Sequence, residues 1–357
     1  MTRQKYFAFG LCFILILGVS SGFAAERKLI YSPEMAKAQE AAVKALSEIG
    51  LPKGNENLLV LTNAGYGQLG PQTTEAFLDI ARETTGCSPG TRSLLAVHKS
   101  INDPLWCSIF RKDTGKLVFS KWTGQGFGQQ VLDASPEKIL TPEGWKTAAA
   151  GLIGPNIFSV ISISLTWAAG PPWPLLLAAT FHDHFCPGVN AGYVIGEYCR
   201  DKMPLRPGEQ YVFVTAPAIC PADALQVIFN TTAGKSSGYA MYMPPALSAK
   251  YEKEKVRPTT VAMRVNRKAD VCEGIVFGFD WNKAYEGTHV KAGEMAPQGG
   301  PGNPIFWIAR VKMSRELARL PREQLLGYIV ELKRFSGKAC LADEIAGGDP
   351  YVLVWNR

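Results

Sequence analysis

Phe181-His182-Asp183-His184-Phe185-Cys186-Pro187-Gly188 is the stretch on which the reading of this chain turns. His182, His184 and Cys186 alternate along it, and in an extended segment alternate residues point to one side. The spacing therefore predicts three side chains facing one point. Two imidazoles and a thiolate form a borderline-soft donor set that suits zinc, and also nickel, cobalt or copper. The chain has only 4 histidines, and two of them stand here, which favours a site over ordinary loop packing. Pro187 is the natural first residue of a helix, which puts Cys186 at its N-cap. Unpaired backbone N–H groups and the positive end of the helix dipole would then lower the pKa of Cys186 and give it thiolate character. The same grammar recurs at Cys220-Pro221, with Asp223 in the first turn, and nominates Cys220 as the remote partner of the cluster.

These motifs carry a family resemblance. Residues 181–188, then Cys220-Pro221-Ala222-Asp223-Ala224-Leu225-Gln226, then Thr231-Thr232-Ala233-Gly234-Lys235 resemble the successive motifs of the FmdE family, named for formylmethanofuran dehydrogenase. That family's pattern runs His-Gly-His-x-Cys-Pro-Gly, Cys-x-x-Asp-Ala-Ile-Gln and a Thr-x-Gly-Lys turn. The resemblance implies an α+β fold, a mixed sheet with helices on a core shared with the glyceraldehyde-3-phosphate dehydrogenase C-terminal domain. It also implies a bound divalent metal, commonly zinc. By motif position it points to His184, Cys186 and Cys220 as ligands, with His182 a ligand or a neighbour of the site. Asp223 and Gln226 would support the site or pack the helix, and Lys235 would sit in a turn near the pocket. Asp183 departs from the family's glycine, and its carboxylate is open to three roles: ligand, orienter of a histidine, or solvent-facing group. The Cys-x-x-Cys ribbon of some relatives is missing.

On either side of these motifs the elements follow local signals. Ser32-Pro33-Glu34 predicts a helix start, with Gly50 ending the run. Strands are expected at 57–62, 94–98, 116–122, 211–216, 261–265, 274–279, 304–311 and 351–355. Helices are expected at 72–83, 103–110, 188–201, 221–232 and 317–335, the last broken by Pro321. Between Lys146 and Asp183 there is no Asp, Glu, Lys or Arg. Pro155 and the Gly170-Pro171-Pro172 break leave too short a continuous run for a bilayer, so this segment reads as buried core. The chain also reads as two copies of one unit. Tyr66–Pro71 overlies His182–Pro187, and Ile109-Phe110 up to Gly115-Lys116 overlies Ile228-Phe229 up to Gly234-Lys235. That overlay sets Tyr66, Gln68 and Gly70 against His182, His184 and Cys186, and Ile101 against Cys220. The expected organisation is a signal at 1–24, a metal-free repeat at 25–145, and a metal-binding repeat with a C-terminal extension at 146–357.

The signal rests on Arg3 and Lys5, the uncharged run that follows, and small residues up to Ala25, which together read as a cleaved secretory segment and a periplasmic destination. After cleavage no integral membrane span is expected. The net charge of +7 falls to +5 without Arg3 and Lys5, a weak field with no aromatic-interleaved basic stripe, so nucleic acid is not an expected partner. Of 8 cysteines, Cys12 leaves with the signal, and the odd number remaining cannot all pair. Hydrophobic residues at 46% supply a packed interior, and charged residues at 19% exclude wholesale disorder. The literal formylmethanofuran reaction belongs to a cytoplasmic multisubunit enzyme and does not suit an exported chain. Two functions remain: an exported protein that binds a divalent metal or a metal-bearing small ligand, and an enzyme using that metal or a thiolate on a small substrate. No catalytic residue can be assigned from sequence.

Overall fold

The computed structural model describes residues 32–296 and 302–357, and the expected signal at 1–24 lies outside them. Local chemistry sets the first element. Ser32 caps the Pro33–Ile49 helix by accepting from the Met35 N–H, and Gly50 closes it in the left-handed region at φ 73°. Beyond it lie β1 (Leu58–Thr62), the two-residue ladder of β2 (Gln68–Leu69) and β3 (Gln72–Thr73), β4 (Leu94–Ala96), β5 (Trp106–Arg111), β6 (Lys116–Trp122) and β7 (Phe127–Asp133). Later in the chain come β8 (Gln210–Thr215), β9 (Gly238–Ala240), β10 (Pro258–Asn266), β11 (Val271–Phe279) and β12 (Ile329–Gly337). The fold is α+β.

Ten of these strands form two five-stranded mixed sheets, in the orders β4-β1-β5-β6-β7 and β12-β11-β10-β8-β9. β1 runs parallel to β4 and antiparallel to β5, as β8 runs parallel to β9 and antiparallel to β10. Antiparallel neighbours complete both sheets. A helix precedes each first strand, Pro33–Ile49 and Pro187–Lys202. A second helix bridges each parallel pair, Ala76–Thr85 and Pro221–Phe229. The two halves therefore share one topology, in a register different from the expected overlay. Topology sets Ser32-Pro33 against Cys186-Pro187, and Glu75, N-cap of the Ala76–Thr85 helix, against Cys220. Ile109-Phe110 lies on β5, whereas Ile228-Phe229 closes a helix, so the short sequence match between them is a coincidence of composition.

The charge-free segment folds as two buried helices, Ile157–Trp167 and Trp173–Phe181. Every residue from Ser159 to Thr166 is buried, and Leu59, Phe110, Ile161, Ile163, Cys186, Val189 and Val311 share one core that joins the first sheet to helices of the second half. The segment is buried core, as its composition suggests. Among the described residues no helix is long and apolar enough to cross a membrane.

Four elements depart from expectation. The expected helix at 103–110 is β5, whose Trp106, Cys107, Ile109 and Phe110 are buried; a short apolar run of this kind suits either element. The expected strand at 304–311 is the Pro304–Leu317 helix, started by Asn303, whose side chain accepts from the Ile305 N–H. The expected helix at 317–335 resolves into Arg322–Leu326 and then β12, because Pro321 starts a new short turn and Gly327 ends it. The expected strand at 351–355 is the Pro350–Trp355 helix, where Asp349 accepts from the N–H groups of Tyr351 and Val352. Where a strand was expected and a helix forms, an Asn-Pro or Asp-Pro start outweighs the β-branched and aromatic residues behind it.

Candidate metal centre

Two helix starts meet at the site. Cys186 caps Pro187–Lys202 with extended backbone, and Cys220 caps Pro221–Phe229. What brings them together is a glycine stripe on the first helix. A Cβ at Gly188 would lie 2.8 Å from Cys220 Cβ, one at Gly192 2.7 Å from both Ala224 Cβ and Pro221 Cα, and one at Gly196 2.8 Å from the Phe229 ring. Only bare backbone allows the second helix to lie this close. With both N-termini at the site, positive dipole ends converge on the two sulfurs.

Ligand atoms of His182, Cys186 and Cys220 all lie within 4.8 Å of one another, and this is the group of metal-ligand geometry among the described residues. His182 Nδ1 donates to Asp223 Oδ2 at 2.6 Å, which leaves Nε2 turned toward the sulfurs. That Nε2 is buried and has no hydrogen-bond partner among the described residues. A histidine held through one nitrogen by a carboxylate, with the other free, is the usual arrangement of a metal-ligating imidazole. An orphaned imidazole nitrogen beside two thiols fits a borderline-soft divalent metal.

The segment 182–186 is not the extended run that its alternation suggests. His182 ends the Trp173–Phe181 helix, and Asp183 turns the chain at φ 67°. The left-handed turn explains why a glycine suits this position in the family pattern, and why aspartate, which tolerates that region better than most side chains, can replace it. The turn sends His184 out of the three-donor group. Its ring lies 4.4 Å from that of His182 and 4.7 Å from that of Phe158, centroid to centroid. Its Nδ1 donates to Asp183 Oδ1 at 2.5 Å. Asp183 also accepts from Lys99 Nζ at 2.6 Å, and Lys99 donates to Ser159 Oγ at 3.0 Å. Asp183 thus orients His184 and ties the site to the loop after β4.

The protons distribute unevenly. Cys186, completely buried, is a thiol held well above the usual range, first by its hydrogen bond to Cys220 and then by burial. Cys220 is lowered, chiefly by that bond from Cys186 and with help from His182, against the opposing effect of burial. The two sulfurs of this buried pair thus shift in opposite directions, Cys186 up and Cys220 down, whereas the helix start alone suggests a lowered Cys186. Burial alone would lower His182, but its bond to Asp223 and the neighbouring Cys220 sulfur outweigh it and lift the imidazole to about 9. His184 is lowered by burial, with the Asp183 bond opposing. Asp183 is lowered because its bonds from His184 and Lys99 outweigh burial.

Of the other residues singled out from sequence, Gln226 lines a cavity of about 310 Å³ that also borders Asp223. Lys235 is spent on Asn230, donating to its carbonyl and side chain. Sequence reasoning misses Lys99 and Phe158, which carry no local motif. It also misses the Gly188, Gly192 and Gly196 stripe, for which the four-residue spacing along one helix face is an available signal.

Two cysteines at helix starts and a carboxylate-held histidine at a helix end form a group that could hold a metal ion. A family model described as FmdE, molybdenum formylmethanofuran dehydrogenase operon, matches residues 181–279, which span this site and the strands β8 to β11. Over that segment the chain is similar to the FmdE family. No curated protein matches the chain.

Proposed function

We propose that this chain is an exported, periplasmic metal-binding protein that holds a divalent transition metal, zinc first, on His182, Cys186 and Cys220. The observation that carries the reading is the buried, partnerless Nε2 of His182 beside two cysteine sulfurs. The export part rests on the amino-terminal sequence alone. The shared topology of the two sheets supports a duplicated unit, whose first copy has Ser32 and Glu75 where the second has its cysteines. His184 is the fourth donor of the proposed set or stands beside it, held by Asp183.

Zinc in structural sites takes four protein ligands, and catalytic sites take three. Three donors beside a cavity of about 700 Å³ lined by His184 and Asp183 favour a second reading, an enzyme acting on a small molecule held in that cavity. A bound metal of this class would supply a Lewis acid there. Within either reading, Asp223 fixes the His182 tautomer. Asp223→Asn should lower zinc affinity by about 10–100-fold while leaving the far-ultraviolet circular dichroism unchanged. Competition titration against a chromophoric chelator measures this, and unchanged affinity would remove His182 from the ligand set.

A further inference from the structure

The cavity of about 700 Å³ is lined by Lys99 from the loop after β4 and by residues further along the chain, Asp183 and His184 among them. Its volume is that of a small-molecule site. One wall is aromatic: Phe158 stands 4.8 Å from Trp307 and 6.5 Å from Trp145, ring centroid to ring centroid. The charge on the walls is not balanced. Lys99 and Lys146 both line the cavity, against the single carboxylate of Asp183. Asp183 is already engaged by Lys99 and His184, whereas Lys146 makes no ion pair among the described residues. The Lys99 side chain is only 13% exposed, and an ammonium has three donors, of which Ser159 and Asp183 take two. One buried N–H and one unpaired cation thus remain for an acceptor of negative charge.

We propose that this cavity binds a small planar acid, its ring against Phe158 and Trp307 and its carboxylate toward Lys99 and Lys146. A neutral flat molecule would gain the aromatic wall but leave the Lys146 ammonium without a counter-charge and the third Lys99 N–H without an acceptor, and a polar acid without a ring would lose the wall. The inference stands on the cavity and is independent of whether the neighbouring donors hold a metal.

Calorimetric titration of the chain with 2-naphthoate and with 2-naphthamide provides the test, since the two probes differ in charge and hardly in shape. Charge-assisted hydrogen bonding predicts that naphthoate binds at least ~10-fold tighter than naphthamide. Lys146→Gln, at an exposed position that the fold does not depend on, should shrink that preference. Trp307→Leu should weaken both probes together. Cys220→Ala should leave the preference intact, which separates this inference from the metal reading. Equal binding of acid and amide, no binding of either at millimolar concentration, or full binding by Trp307→Leu would overturn it.

Discussion

Replacing Cys220 with alanine is expected to lower zinc affinity by roughly a thousandfold. The size follows from sharing the binding free energy of a structural zinc site, roughly 10–16 kcal/mol, among its donors: losing one of three removes about 4 kcal/mol. Cys220 is the donor whose thiol is already lowered, so binding through it costs the least deprotonation. Cys186 and His182 must still release protons, Cys186 from well above the usual thiol range and His182 from about 9. Affinity should therefore rise with pH through neutrality, since falling pH returns both protons and expels the ion. Chelator competition at several pH values reads both effects. A Cys220→Ala chain that binds zinc as the wild type does would place the ion elsewhere.

Gly192→Ala should cost about 2 kcal/mol of stability, although alanine is by itself the better helix former by about 1 kcal/mol. The new methyl would meet Pro221 Cα and Ala224 Cβ at 2.7 Å and the Pro221 carbonyl oxygen at 2.9 Å. Two of those atoms are backbone, which cannot swing aside as a side chain can. The Pro221–Phe229 helix must then move off the Pro187–Lys202 helix, carrying Cys220 away from Cys186. Stability and metal affinity should fall together. Gly347→Ala, near a helix end with nothing within 4 Å of the new methyl, is the control and should be neutral or mildly stabilising. Urea unfolding of both variants measures the difference, and equal midpoints would show that the helix pair does not need its glycine stripe.

The residues behind these two expectations differ in how legible they are in sequence. The cysteine-proline starts are legible because capping is local: Cys186 and Cys220 both cap helices as their neighbours dictate. The same holds for Ser32 and Gly50 at the first helix, and for the buried, charge-free run before the site. Inference that needs orientation fails. Alternation places His184 with His182 and Cys186, but a left-handed Asp183 turns it toward Phe158. Cap position alone suggests a lowered Cys186, while the contact between the two sulfurs, and then burial, push Cys186 up. Matching letters set Ile109-Phe110 on a strand against Ile228-Phe229 at a helix end, whereas the likeness of the two halves lies in strand order and polarity. Lys99 reaches the site from the other half of the chain and has no signal in its own neighbourhood.

The most direct measurement is elemental analysis with X-ray absorption on untagged protein, alongside the Cys186→Ala/His182→Ala double variant. Metal binding at this centre predicts one transition-metal ion per chain, coordinated by two sulfurs and at least one imidazole nitrogen, and no ion in the double variant. A chain purified without stoichiometric metal, or a double variant that keeps its ion in the same sulfur-rich coordination, would contradict it.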